Sequence, residues 1–353
     1  MTKTRISALM SLVNENKLSA MLVSKEENVR YLSGFSGDSA TLIITPEKKI
    51  LVTDGRYTEQ AGAEAKDFEI IEQTEGLWRK TAETILSLKI KKIGFEGKHL
   101  TYAVHAALKK LLPKVELVHI SLENFREVKD EEEISLIQKA CDIADFAFEE
   151  VLKFIRPGLK EFEVAAFLEN AMRNKGSEKA AFDTIVASGV RGSLPHGIST
   201  EKLIISGEFV TMDFGATYKG YASDITRTVA VGKATEEMRN VYGAVLKAQE
   251  SVLPKIKTGA SGVELDAFAR KVLGEYEKYF AHSLGHGVGL EIHEEPRLSK
   301  KSKCLSLKKN MIVTDEPGVY IEGKFGVRIE DTVLVTDNGG VRLTKSDKKL
   351  VEL

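Results

Sequence analysis

The chain has 353 residues, 42% of them hydrophobic and 29% charged, and this balance excludes collagen-like, mucin-like and largely disordered proteins. Its 51 Lys and Arg residues nearly cancel its 52 Asp and Glu residues, so we expect no overall attraction to nucleic acid or to a membrane surface. At about 150 residues per domain, the length predicts two domains or three. Two cysteines, no signal-peptide core and no run of about 18 apolar residues predict a cytoplasmic protein.

Residues 1–124 alternate short apolar runs with segments of helix length. The predicted strands are Ala20–Val23, Ala40–Thr45, Ile50–Thr53, Phe68–Ile71, Lys92–Phe95 and Val115–Ile120. The predicted helices are Arg56–Ala65, Leu77–Leu88 and Tyr102–Leu112. Strands that alternate with helices predict an α/β domain with a parallel or mixed sheet.

A charge-dense stretch at 123–133 is predicted to join this domain to a second one, residues 125–353. Apolar residues at helical spacing then predict a long amphipathic helix, Ile134–Ile155, which stops at Pro157 and Gly158. The remaining elements mix strands with helices, which is an α+β pattern. They are β-rich segments at 181–232 and 309–344 and helices near 236–256 and 261–278.

One internal similarity links two parts of this second domain. Val210–Gly215 resembles Val313–Gly318, and each is followed by a segment that reads Thr-Val-x-Val. Both parts are therefore predicted to fold as strand, glycine-containing turn and strand, with carboxylates at matching places. A duplication and a chance match both remain open.

The histidines mark a candidate functional site. Three of them, His282, His286 and His293, lie within twelve residues among closely spaced glycines, and His196 lies beside another glycine. Glycines let backbone and ligands approach closely, and imidazole serves as metal ligand and as acid or base near neutral pH. This cluster predicts a binding or catalytic site rather than four unrelated side chains.

Four carboxylates in β-type surroundings form the second part of the pattern. If a hairpin turns at Tyr218–Lys219, Asp213 and Asp224 face each other about 5 Å apart, and such close like charges need a cation between them. Glu316 and Glu330 follow the same pattern. Four carboxylates and an imidazole without a thiolate suit Mn²⁺, Co²⁺, Zn²⁺ or Fe²⁺, and so many donors suit a pair of ions better than one.

Taken together, the motifs resemble the aminopeptidase P/prolidase family. In the second domain they are Phe182–Gly189, Leu194–Gly197, Asp213–Gly215, Gly220–Thr228, His282–Leu290, Glu316–Tyr320 and Gly326–Asp331. In the first domain, Asn28–Phe35 and Thr53–Tyr57 are similar to the creatinase-type N-terminal domain of that family. The resemblance implies this α/β domain followed by an α+β catalytic domain of the pita-bread fold.

The resemblance also implies a ligand set for two divalent ions, with manganese or cobalt first and zinc or iron as alternatives. The matching positions are Asp213, Asp224, His286, Glu316 and Glu330. Asp224 and Glu330 match the positions that bridge both ions. The creatinase branch of the family lacks the full set, so its presence here predicts a peptidase rather than a creatinase-like C–N hydrolase.

Further residues are expected to act on the substrate. His196 and His293 match histidines that flank it and stabilise the tetrahedral intermediate or shuttle protons, and His282 matches a position associated with Xaa-Pro recognition. Glu316 is expected to act as the general base towards the attacking water, with His293 helping one metal ion to stabilise the oxyanion.

Two arginines complete the predicted site. Arg328 matches an arginine beside the bridging glutamate, and Arg297 matches one that in prolidases can hold the C-terminal carboxylate of a dipeptide. One departure stands out, since Asp315 occupies a position where the family more often has an apolar residue.

The predicted activity is therefore hydrolysis of the Xaa-Pro bond at the N-terminus of peptides. Arg297 favours Xaa-Pro dipeptides, and an aminopeptidase P that takes longer peptides is the alternative. A third reading, a non-catalytic pita-bread protein that binds peptides or proteins, should have lost at least one ligand. The resemblance further implies a homodimer, and neither nucleic acid nor membrane is expected as a partner.

Overall fold

The computed structural model describes residues 2–353, with side chains from residue 4 onward. It divides into two compact units, Met1–Phe125 and Arg126–Leu353. Among the described residues, no helix has both the length and the apolar character needed to cross a membrane.

The first unit is built on a mixed six-stranded sheet with strand order β4-β3-β2-β1-β5-β6. Its strands are β1 (Ala20–Val23), β2 (Ala40–Ile44), β3 (Lys49–Asp54), β4 (Glu69–Gln73), β5 (Lys92–Phe95) and β6 (Glu116–His119). Its helices are α1 (Thr2–Glu15), α2 (Glu26–Ser33), α3 (Thr58–Glu64), α4 (Leu77–Ser87) and α5 (Tyr102–Leu111). β1 pairs in parallel with β5 and antiparallel with β2, so the predicted mixed α/β sheet is confirmed.

Helix α2 was absent from the prediction, and the structure gives the reason. Its N-cap residue, Lys25, makes no side-chain capping bond. The backbone N–H groups of Ser24 and Lys25 instead donate to the carboxylate of Glu96, at 2.6 and 2.9 Å. A residue some 70 positions away in the chain thus supplies the cap, which no local sequence pattern indicates.

The second unit contains several small antiparallel sheets and four α-helices. The helices are α6 (Glu131–Phe154), α7 (Glu161–Asn174), α8 (Glu236–Val252) and α9 (Gly262–Leu273). The strands of its first half are β7 (Lys179–Ala180), β8 (Ile185–Ser188), β9 (Glu208–Phe214), β10 (Ala216–Tyr218), β11 (Tyr221–Ala222) and β12 (Ile225–Val231). Those of its second half are β13 (Gly285–Gly287), β14 (Glu294–Leu298), β15 (Ile312–Asp315), β16 (Gly318–Ile321), β17 (Phe325–Arg328), β18 (Asp331–Val335) and β19 (Gly340–Arg342).

Two predicted helices are shorter in the structure. The helix near 236–256 ends at Val252, where Leu253–Lys255 forms a 3₁₀ turn around Pro254. The helix predicted at 261–278 ends at Leu273, because Gly274 has a φ of 58° and the chain continues as a 3₁₀ turn.

The two similar sequence segments lie in similar strand arrangements. β9 pairs antiparallel with β12 and encloses the β10–β11 hairpin, while β15 pairs antiparallel with β18 and encloses the β16–β17 hairpin. Each part is therefore strand, hairpin and strand, rather than the simple strand, turn and strand that we predicted. In both parts a carboxylate lies at each end of the inner hairpin.

Candidate metal centre and substrate cavity

The carboxylates of the first half are placed by the register of β9 and β12. Asp213 in β9 lies opposite Thr226 in β12. Asp224 lies two residues before Thr226, just before β12 begins, so its side chain points to the same face as that of Thr226. The prediction that the two aspartates lie directly opposite each other across a turn at Tyr218–Lys219 is therefore wrong. The chain turns at Lys219–Gly220, both with positive φ, and the inner hairpin offsets the two side chains diagonally.

The second half places its carboxylates in the same way. Asp315 and Asp331 are directly opposite each other in β15 and β18, and Glu316 and Glu330 lie just beyond that pair. Thr226 Oγ1 donates to Glu330 Oε2 at 2.6 Å, which ties this carboxylate to the first half of the unit.

Three predicted ligands form a compact group. Ligand atoms of Asp224, His286 and Glu330 all lie within 4.8 Å of one another, and the three residues are buried. Glu316 Oε1 lies 3.4 Å from His286 Nε2, so this carboxylate faces the same centre. Asp213 lies outside the group of three, and its Oδ2 accepts a bond from Arg328 Nη2 at 2.5 Å.

His286 is oriented for binding a cation. Its Nδ1 lies 3.1 Å from the carbonyl oxygen of Gly287, which can only accept, so Nδ1 carries the proton. The lone pair of Nε2 then faces Asp224 and Glu316. Burial, with help from His293, lowers the pKa of His286 to about 3, so the imidazole stays neutral and able to bind a metal ion.

The carboxylates carry the electrostatic signature of a cation site. Burial and the neighbouring Glu330 raise the pKa of Asp224 well above its usual range, and burial together with Glu316 does the same for Glu330. Burial raises the pKa of Glu316 to about 8, although Arg328 opposes that shift. Asp213 Oδ1 and Asp224 Oδ1 are buried without a hydrogen-bond partner. A hard divalent cation would bind these unpaired oxygens and neutralise the negative charge of the carboxylates. This donor set therefore fits the implied metal ions.

All ten predicted site residues line one cavity of about 420 Å³, a size common for small-ligand sites. Besides the five carboxylate and imidazole ligands, they are His196, His282, His293, Arg297 and Arg328. The apolar part of the wall includes Phe182, Ile185, Pro195 and Ile292.

A hydrogen-bond chain runs along one wall of the cavity. Arg328 Nη1 donates to Tyr320 Oη at 2.7 Å, and Tyr320 Oη lies 2.7 Å from His282 Nε2. His282 Nδ1 donates to the Ser283 carbonyl at 2.9 Å, so Nε2 accepts the tyrosine proton. Both ring nitrogens of His282 are thus engaged by the protein, and the ring offers its face rather than a hydrogen bond to a ligand.

Tyr320 is a site residue that sequence reasoning missed. The motif Glu316–Tyr320 contains it, but nothing in the sequence assigns it a partner. Its position between Arg328 and His282 depends on the β16–β17 pairing, which places Tyr320 opposite Gly326.

The remaining predicted residues lie nearer the opening. His196 and His293 are exposed, and the His293 ring packs edge-on against that of His286 with centroids 4.4 Å apart. Arg297 lies opposite His286 in the β13–β14 pair. Among the described residues the Arg297 guanidinium has no carboxylate partner, so it can receive one from a ligand.

The Asp315 carboxyl finds no hydrogen-bond donor in the part of the chain that the structure describes. It is fully buried, and neither carboxyl oxygen has a partner among the described residues. Burial and the opposing Asp331 raise the pKa of the Asp315 carboxyl well above its usual range. A buried carboxyl without a partner costs stability.

We expect Asp315→Val to raise the free energy of unfolding by about 1–3 kcal/mol, because it removes that unsatisfied group from a strand interior. Asp145→Val is the matched control, since Asp145 is also buried but accepts bonds from Lys345 N and Ser346 N at 2.7 and 2.8 Å. Urea unfolding of both variants measures the effect. Equal destabilisation by the two substitutions would contradict the assignment of Asp315 as an unsatisfied group.

Comparison with known proteins identifies the chain. Residues 135–337 match the model of metallopeptidase family M24, and residues 5–128 match that of the creatinase/prolidase N-terminal domain. The chain belongs to metallopeptidase family M24. The predicted family and the predicted fold class are both confirmed.

Relatives within family M24 match over nearly the whole chain. An Xaa-Pro dipeptidase of Pyrococcus horikoshii is 40% identical over 353 residues, with 98% of each chain covered. The solved structure of an Xaa-Pro dipeptidase from Bacillus anthracis is 42% identical, with a TM-score of 0.96 and all of both chains covered. That of an X-Pro aminopeptidase from Thermotoga maritima MSB8 is 39% identical, with a TM-score of 0.92 and 99% of each chain covered.

Proposed function

We propose that the protein is a metal-dependent Xaa-Pro dipeptidase. The observation that carries this proposal is the convergence of Asp224, His286, Glu330 and Glu316 on one cavity. The wall of that cavity also holds Arg297, which has no carboxylate partner within residues 4–353. The carboxylate and imidazole donors suit divalent cations, and the free guanidinium suits the C-terminus of a short peptide.

The ligand assignment is part of the proposal. Asp213, Asp224, His286, Glu316 and Glu330 would hold two divalent ions, manganese or cobalt before zinc or iron. Ions bound there would supply a nucleophilic water at neutral pH and Lewis acidity at the scissile carbonyl. The creatinase-like and non-catalytic alternatives both require the loss of a ligand, and all five residues are present.

Side chains of the protein then carry out the proton transfers and stabilise the transition state. Glu316, next to His286, takes the proton of the attacking water, since its carboxylate lies in the cavity and Thr314 Oγ1 donates to it at 3.0 Å. His293 and His196 donate towards the developing oxyanion and the leaving nitrogen. Arg328 holds Asp213 in place by the 2.5 Å contact with its Oδ2.

Proline recognition follows from the state of His282. A proline nitrogen in a peptide bond has no hydrogen to donate, so its ring is best recognised by shape and apolar contact. The His282 ring has both nitrogens bound to the protein and packs edge-on against Phe280, with centroids 5.0 Å apart. It therefore presents carbon and π surface to the pyrrolidine ring.

Arg297 decides between the two substrate classes in this proposal. In an Xaa-Pro dipeptide, the proline that follows the scissile bond carries the C-terminal carboxylate. That carboxylate would reach Arg297, which favours prolidase activity. Aminopeptidase action on longer peptides is the second candidate, since a similar solved structure carries that name. We further propose that the protein works in the cytoplasm as a homodimer.

The test is amino-acid release from Leu-Pro and Leu-Pro-Gly after EDTA treatment and after separate addition of Mn²⁺, Co²⁺ or Zn²⁺. We expect metal-dependent cleavage of Leu-Pro and little of Leu-Pro-Gly. Arg297→Met should raise the KM for Leu-Pro about 10–100-fold, because a hydrogen bond to a charged group is worth about 1.5–3 kcal/mol.

Arg297→Lys is the matched control, because it keeps the charge but loses the planar fork and should recover part of the affinity. Equal or faster cleavage of the tripeptide would instead identify an aminopeptidase P. No cleavage of either peptide by metal-loaded protein would favour the non-catalytic reading.

A further inference from the structure

The segment that carries His196 lacks an apolar anchor. We call residues 189–200 the His196 loop; its regular structure is limited to a 3₁₀ turn at Gly189–Ser193 and an isolated β-bridge between Ile198 and Ile185. Its large apolar side chains, Val190, Leu194 and Ile198, are 51, 52 and 65% exposed. A loop with so little buried apolar surface needs polar contacts to hold one conformation.

Glu161 supplies such contacts at the base of the loop. This first residue of α7 is fully buried. Its carboxylate accepts from Ser188 N and Oγ at 2.8 and 2.9 Å and from Thr200 N and Oγ1 at 3.1 and 2.8 Å, so it holds both ends of the loop together. A buried carboxylate with this many donors is fully compensated, and its bonds are of the strong, charge-assisted kind.

Arg191 extends this anchor into the loop. One end of its guanidinium, Nη1, donates to Glu161, and the other, Nη2, donates to the carbonyl of Ile198 at 2.7 Å. On the opposite side of His196, Arg328 Nη1 donates to the carbonyl of Pro195 at 3.2 Å. The backbone on both sides of His196 is therefore held by a guanidinium.

A close backbone contact allows this arrangement. A Cβ atom added to Gly326 of β17 would lie 1.9 Å from the carbonyl oxygen of Gly192, so the loop can pack directly on the strand that carries Arg328. The loop is thus fixed at its base by Glu161, across its middle by Arg191, and against β17.

We propose that the Glu161–Arg191 pair is a positioning device that sets His196 over the substrate cavity. Neither residue lines that cavity, so both act through the loop rather than on the substrate. The proposal rests on the proposed peptidase function, in which His196 assists the transition state. Misplacement of such a group by about 1 Å can cost about 100-fold in rate.

The test combines kinetics with hydrogen exchange. For Arg191→Met we expect kcat on Leu-Pro to fall about 10–100-fold with KM changed less than about threefold, because His196 acts in the transition state. Metal content should stay unchanged, since Arg191 contacts no proposed ligand. Amide exchange in residues 189–200 should become faster in the variant, while exchange elsewhere stays the same.

Two further variants make the result specific. The double variant Arg191→Met with His196→Ala should be no slower than His196→Ala alone, because the arginine acts only through the histidine. Arg191→Lys can keep the ion pair with Glu161 but loses the second donor group that binds the Ile198 carbonyl. Its kcat should therefore lie between those of the wild type and Arg191→Met. Arg156→Met is the control and should leave kcat unchanged, since the contacts of that guanidinium among the described residues are with the carbonyl and ring of the nearby Phe154.

The proposal would be overturned if the double variant lost activity by the product of the two single-variant reductions in kcat. It would also be overturned if Arg191→Met changed neither kcat nor amide exchange. If Arg191→Met does not fold, Arg191→Lys decides by the same readouts. A wild-type protein that cleaves no Xaa-Pro peptide with any metal would refute the proposed function, whereas the exchange measurement would still decide whether Arg191 orders the loop.

Discussion

Asp224→Asn is expected to lose bound metal and activity together. Asp224 is buried, its Oδ1 has no hydrogen-bond partner, and it lies with His286 and Glu330 in the compact ligand group. The amide keeps the size of the side chain but removes the negative charge. Metal ions supply several kcal/mol of transition-state stabilisation, and a loss of about 4 kcal/mol lowers the rate roughly a thousandfold.

Metal content by mass spectrometry and Leu-Pro hydrolysis measure this effect in parallel. Asp183→Asn is the matched control, because Asp183 lines the same cavity but lies outside the ligand group. The control should retain its metal and most of its activity. An Asp224→Asn variant that is fully metallated and active would refute the bridging role of Asp224.

The metal-free protein is expected to lose stability as the pH rises from 7 to about 8. The pKa values of Asp224 and Glu330 are raised by burial and by neighbouring carboxylates, and that of Glu316 is raised to about 8 by burial, whereas the unfolded chain ionises these carboxyls near pH 4. In this window the folded state holds more protons than the unfolded state. The free energy of unfolding therefore falls with pH, by about 1.4 kcal/mol per pH unit for each excess proton.

The choice of pH range matters because the histidines with lowered pKa values, His282, His286 and His293, have the opposite effect at lower pH. Burial lowers the pKa of His282 and His286 to about 3, so below about pH 6.5 the unfolded chain binds more protons at these positions and stability rises with pH. Between pH 7 and 8 the histidines of the unfolded chain become largely neutral as well, so the carboxylates with raised pKa dominate the pH dependence.

Urea unfolding at several pH values after EDTA treatment measures this dependence. Metal-loaded protein should show a smaller decline, because bound ions keep the ligands ionised in the folded state, whereas the raised pKa of Asp315 still contributes. Metal uptake near pH 7 should release protons. Glu316→Gln should reduce the decline in the metal-free protein. A metal-free protein whose stability stays flat or rises between pH 7 and 8 would contradict the assigned carboxylate cluster.

The local elements of the fold were largely accessible from the sequence. β1 at Ala20–Val23 and β5 at Lys92–Phe95 have the predicted bounds, because short, largely apolar runs favour buried strands over helices. Helix α2 was missed because a distant residue, Glu96, supplies its cap. Helix α7 was missed although a local contact caps it, since the Glu163 carboxylate accepts a bond from Lys160 N at 2.7 Å.

The register of the site could not be predicted in the same way. Spacing suggested that Asp213 and Asp224 lie opposite each other, but a short hairpin between β9 and β12 offsets them. Strand register depends on which side chains become buried together and on the turn that joins the strands. Both depend on the packed unit rather than on the intervening residues alone.

The sequence by itself determined which donor atoms this protein has: four carboxylates, four histidines and two arginines in motifs of recognisable order. Only the tertiary structure decided the state of each one. Among the residues that the structure describes, Asp224 Oδ1 and the Arg297 guanidinium have no partner, whereas Asp213 Oδ2 is bound to Arg328 and both nitrogens of His282 are engaged. The physical reason is that the chemical type of each side chain is fixed by the sequence alone. Its charge, proton position and hydrogen bonds depend instead on neighbours that folding brings together from distant parts of the chain.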